Sequence, residues 1–87
     1  MDVAACNWCL RYEPAIDEQL TFIDLWIMLV ADFTDVQIIA SSIDRTIRLF
    51  SPHPISLEQL VEKLSERCDV IITQRSVDEI CAVVKSI

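Results

Sequence analysis

At 87 residues the chain has room for one domain with a single core, and a hydrophobic content of 53 % excludes a disordered tail. The net charge of −7 belongs to the first half, where residues 1–44 set eight acids against Arg11 alone. With no Lys/Arg cluster to neutralise phosphates, direct nucleic-acid binding is not expected, and a basic protein surface is the better electrostatic match.

The chain opens Met1-Asp2-Val3, without a basic segment and apolar stretch of the secretory kind, so a cytoplasmic, reducing location with free thiols is expected. The longest unbroken apolar run, Leu25 to Ala31, falls far short of the ~20 residues needed to cross a bilayer, and no membrane partner is expected. Residues 1–12 carry no clear period and read as loosely ordered. Within them Cys6 and Cys9 form a C-x-x-C, a spacing that suits two thiolates on one zinc or a redox pair. A structural zinc needs two more ligands, and His53, Cys68 and Cys81 form no second such pair, so neither metal nor cofactor is expected.

A first helix is predicted from Pro14, with Ile16, Leu20, Ile23, Ile27 and Val30 on its core face. Phe22, Leu25, Trp26 and Leu29 make a second apolar stripe on the same helix. A second helix is predicted from a capping box at Thr34 and Gln37, carrying Val36, Ile39, Ala40, Ile43, Ile47 and Phe50 to the stop at Pro52. The rival for this segment is a hairpin of Val36–Ser42 with Arg45–Ser51, favoured by β-branched residues but lacking an Asn-Gly or Asp-Gly turn. Ser56 and Gln59 box a third helix through Leu57, Leu60, Val61, Leu64 and Cys68. Val70 to Thr73 is a short β-branched run, and Ser76 with Glu79 opens a predicted last helix.

With glycine absent, the usual residue for tight hairpins is missing, and the pattern reads as mainly α: one compact bundle of about four helices spanning 1–87. The alternative is a small α+β domain with a hairpin at 36–51 and a strand at 70–74. The run Ile47-Arg48-Leu49-Phe50-Ser51-Pro52-His53-Pro54-Ile55-Ser56-Leu57-Glu58-Gln59-Leu60 resembles the first two helices of winged-helix domains, which implies a helix ending near Phe50, a Pro-containing turn and a capped helix after it.

No residues assemble into a recognisable active site. His53 lacks an orienting partner and reads as a loop histidine, while Asp17 and Glu18 complement the dipole of a helix first turn. The function expected is therefore non-enzymatic: a small acidic protein–protein interaction module acting as subunit, adaptor or inhibitor, with another protein or a second copy as partner. Phe22, Leu25, Trp26 and Leu29 are its expected contact stripe, because they exceed what one core face needs. Glu58 and Glu62, on a like-charged ridge with Glu66, are expected to meet a basic partner. The alternatives are an acidic mimic occupying a nucleic-acid-binding surface of another protein, and a small metal-binding protein using Cys6 and Cys9.

Overall fold

Strict alternation decides the first element. In Trp8-Cys9-Leu10-Arg11-Tyr12 the large apolar side chains fall on every second position, the signature of a strand with one buried face. In the computed structural model, which describes residues 5–13, 21–53, 55–77 and 79–86 and side chains from Asn7 onward, this segment is strand β1 (Ala5–Glu13). There follow α1 (Phe22–Asp32), β2 (Gln37–Ser41), β3 (Thr46–Ser51), α2 (Leu57–Leu64), β4 (Cys68–Arg75) and β5 (Ile80–Ser86). The strands form one five-stranded sheet in the order β2-β3-β1-β5-β4. β1 lies parallel to β5, and every other pairing is antiparallel.

The molecule is thus a mixed-sheet α+β domain richer in strand than in helix, which corrects the expected bundle of about four helices. The α+β alternative, with a hairpin at 36–51 and a strand at 70–74, is nearer, but it lacks the strands Ala5–Glu13 and Ile80–Ser86. Residues 34–51 are not a helix, because their inward set is Ile38 and Ala40 on β2 with Ile47, Leu49 and Ser51 on β3, a period of two rather than 3.6. The missing glycine is replaced at the hairpin turn by Arg45, whose φ of 55° lies in the left-handed region. The turn is held by Thr46 Oγ1 donating to Asp44 Oδ1 at 2.7 Å and by the Tyr12 N–H donating to the Arg45 carbonyl at 2.9 Å. A strand at Thr46–Ser51 also removes the helix that the winged-helix likeness implied.

The predicted last helix is β5. Its Ser76 hydroxyl does accept the Glu79 N–H at 3.1 Å, as an N-cap would, but it also donates to the Glu79 carbonyl at 2.9 Å and closes a turn into the strand. Ile80-Cys81-Ala82-Val83-Val84 is continuously apolar because β5 is flanked by β1 and β4 and is covered on one face by helices. Of residues 1–12, expected to be loose, 5–12 lie in β1, the middle strand of the sheet. The predicted helix start near Pro14, with Ile16, Leu20, Asp17 and Glu18, lies outside the described residues. Ser56 opens α2 as expected, with both bonds of its capping box to Gln59 in place, and α2 ends at Leu64 so that Cys68 begins β4.

Side chains of one parity from the sheet, among them Trp8, Leu10, Tyr12, Ile47, Leu49, Ala82 and Val84, share a single buried cluster with Leu25 and Leu29 of α1 and Leu60 and Leu64 of α2. Both helices therefore lie on one face, and no described helix covers the other, here called the open face. Trp8 is fully buried, and its indole N–H donates to the Ile55 carbonyl at 2.9 Å, tying the sheet to the segment that enters α2. Trp8→Ala is expected to cost about 3–5 kcal/mol. Trp8→Phe keeps most of the ring but orphans the Ile55 carbonyl, and a loss of about 1–3 kcal/mol is expected. Urea denaturation of both variants measures this, and a Trp8→Phe midpoint equal to that of the wild type would show the bond to be unimportant.

Candidate interaction surface

α1 begins where Thr21 and Asp24 satisfy each other's backbone. Asp24 N–H donates to Thr21 Oγ1 at 3.1 Å, and Thr21 N–H donates to Asp24 Oδ2 at 3.2 Å. This start sets the phase of the helix over the sheet. Leu25 and Leu29 are driven fully into the core, with Phe22 and Met28 half-buried beside them. Phe22 packs tilted against Tyr12 of β1 with ring centroids 6.3 Å apart.

The opposite face of α1 is apolar and open to solvent: Ile23 is 60 %, Trp26 39 %, Ile27 59 % and Val30 47 % exposed. These four stand at i, i+3, i+4 and i+7, so they form one continuous stripe along the helix. A shallow hollow in it is lined by Trp26, Ile27, Val30 and Ala31. Of the expected contact set, only Trp26 is substantially on the surface; Leu25 and Leu29 belong to the core and Phe22 to its margin. Ile23, Ile27 and Val30, expected to face the core, are outside. The two stripes of the helix are exchanged relative to the sequence reading, and three surface residues were missed.

Glu58 and Glu62 are exposed on α2, and Glu62, Glu66 and Asp32 border a hollow between the two helices together with Met28 and Lys63. On the open face of the sheet, Arg11 pairs with Glu13 at 3.0 Å, and Lys85 approaches the same carboxylate at 3.7 Å. Arg48 shares that face, since it stands in register with Cys9 between inward-facing Ile47 and Leu49. The helix side thus carries an excess of acid, whereas on the sheet side Arg11, Arg48 and Lys85 are matched by Glu13, by Asp69 in register with Lys85, and by Glu79 beside Cys81.

The C-x-x-C lies on β1, where the register shifts between Cys6 and Trp8; the Cys6 side chain is outside the described residues. Among the described residues no group of three or more His, Cys, Asp or Glu is arranged to hold a metal. His53 is exposed, and its backbone is clasped by Ser51, whose hydroxyl donates to the His53 carbonyl at 2.7 Å and accepts its N–H at 3.2 Å. No described helix is long and apolar enough to cross a membrane. No protein-family model, curated protein or solved structure matches the chain.

The cap of α1 also has a pH signature. The bond from the Thr21 backbone, then that with its side chain, holds the Asp24 carboxyl below its ordinary value, with a smaller contribution from Arg67. A carboxyl more acidic in the folded chain than in the unfolded one contributes stability above its unfolded value and loses it as the pH falls through the folded value. Asp24→Ala is therefore expected to lower the urea midpoint at neutral pH by an amount that shrinks as the medium is acidified below the carboxylate range. A difference constant across that range would assign the effect to helix propensity instead.

Proposed function

We propose that the protein is a small, acidic, non-enzymatic protein–protein interaction module whose contact surface is the outer stripe of α1. The carrying observation is that Ile23, Trp26, Ile27 and Val30 remain exposed together although α1 already buries Leu25 and Leu29 in its own core. An apolar stripe centred on a tryptophan is the composition of an interface hot spot.

A second copy of the chain suits this stripe. In an antiparallel two-fold pairing centred between Trp26 and Ile27, Ile23 stands opposite Val30 and Trp26 opposite Ile27, so the stripe is self-complementary in position. A reducing compartment such as the cytoplasm belongs to the same reading.

The acidic side supports a second reading, in which Glu58 and Glu62, backed by Glu66 and Asp32, dock on the basic nucleic-acid-binding surface of another protein. The two readings differ in salt dependence: an apolar contact persists at high ionic strength, whereas an exposed charge contact is screened within a Debye length of ~8 Å at physiological salt.

Trp26→Gln, compared with the wild type by light scattering and thermal melting, tests the main reading. The variant is expected to stay folded with a nearly unchanged melting temperature and to lose association. Leu29→Ala serves as the contrast, since truncating a buried leucine costs about 2–5 kcal/mol. A wild type that is monomeric at every concentration and binds no partner overturns the reading. Reversal of Glu58 and Glu62 to Lys is expected to leave the melting temperature nearly unchanged; loss of partner binding in that variant, with Trp26→Gln binding normally, would favour the acidic mimic.

A further inference from the structure

The open face of the sheet carries a pair of thiols that the contact surface on α1 does not use. Cys9 of β1 and Cys81 of β5 are direct register partners in the parallel pairing. Register partners project to the same face, and here it is the open one, since the neighbours Leu10 and Ala82 are inward. Both cysteines are free and partly accessible, in contrast to the buried Cys68. The Cys81 thiol donates to Glu79 Oε1 at 3.6 Å, and Cys9 is among the groups that push that thiol up.

From this juxtaposition we propose that Cys9 and Cys81 are a reversible dithiol–disulfide pair, oxidised by low-molecular-weight disulfides of the glutathione class. Adjacent strands run ~4.8 Å apart, which falls inside the ~4.4–6.8 Å separation of Cα atoms that a disulfide spans, so closure requires rotation of side chains rather than movement of strands.

The exchange balances in two steps. The Cys9 thiolate attacks one sulfur of the external disulfide, forming a mixed disulfide and expelling one small thiol. Cys81 then loses its proton to solvent base. Its sulfur attacks Sγ of Cys9 and expels the second small thiol. Two protein thiols are oxidised, and one external disulfide is reduced to two thiols. Burial, the Glu79 carboxylate and Cys9 all push the Cys81 thiol up, so Cys81 stays protonated at neutral pH and acts second. The product links the first strand of the chain to the last across the middle of the sheet, where β1 and β5 are already hydrogen-bonded.

The test is to incubate the reduced protein with excess oxidised glutathione, quench with acid, alkylate the remaining thiols and map peptides by mass spectrometry. The expected product is about 2 Da lighter before alkylation, has Cys9 joined to Cys81 and reverts with a dithiol reductant. Cys6→Ser should form the same bond, because Cys6 has no part in it. Cys81→Ser should stop at a glutathione adduct on Cys9, and circular dichroism establishes that this variant is folded. A Cys6–Cys9 bond, stable glutathione adducts on both Cys9 and Cys81 of the wild type, or two thiols that remain fully alkylatable would each overturn the proposal.

Discussion

The parallel pairing of β1 with β5 is the constraint on which the remaining structure depends. It joins the first and last described strands at the middle of the sheet, so the other described elements are accommodated between them in sequence: a hairpin added on the β3 side of β1 and an edge strand, β4, added on the far side of β5. The strands that meet there supply Trp8, Leu10, Tyr12, Ala82 and Val84 to one face, and the helices are held by that face. Such a pairing closes the longest available loop and has no local turn to guide it, so its stability must come from burial at its own side chains. Trp8 answers that need twice, by volume and by its bond to the carbonyl of Ile55, which fixes where α2 starts.

This arrangement explains why α1 has two apolar faces. Among the described residues two short helices cover one side of the sheet, and each has a limited area of contact with it. Leu25 and Leu29, one turn apart, fill that area with Phe22 and Met28 at its margins. Nothing in the described chain reaches over the outer side of α1, and the stripe of Ile23, Trp26, Ile27 and Val30 is left to solvent. In a four-helix bundle a helix of this kind would be enclosed by its neighbours. In a two-layer domain the same composition becomes surface, and the surplus of apolar residues becomes an argument about association rather than about packing.

The parts of the fold that were legible in the sequence are those fixed by local chemistry. Ser56 and Gln59 bond as a capping box because each needs only the backbone of the other, and α2 follows. The same local chemistry misled at Ser76, where the hydroxyl meets the Glu79 N–H as expected but the residues after it pair with β1 and β4. At 36–51 the β-branched residues fit both periods, and the absence of glycine argued against a turn that Arg45 makes with a left-handed backbone. On α1 the helix and its two stripes were legible. Their assignment to core and surface was not, because both are equally apolar and only the position of the sheet distinguishes them. The box of Thr21 with Asp24 was the available signal for the true start of the helix, and a start near Pro14 passed over it. The exposed acids Glu58 and Glu62 followed from sequence directly, since their ridge is opposite the Leu60 and Leu64 face of α2.

The two surfaces of interest lie on opposite sides of the molecule, and this bears on how they act. The stripe on α1 faces away from the sheet, while Cys9 and Cys81 open on the side that carries no helix. A partner seated on Trp26 therefore leaves the thiols accessible, and a disulfide between them adds no side chain to the helix surface. Any coupling between the two would have to pass through the core contacts of Leu25 and Leu29 with the inward residues of β1 and β5. A bond between strands already in register changes those positions little, so it would act on how readily β1 and β5 separate rather than on the shape presented by α1. The proposed association through α1 and the proposed oxidation at the sheet centre would in that case be independent of one another: the first would act at the helix surface, and the second on how long β1 and β5 stay together.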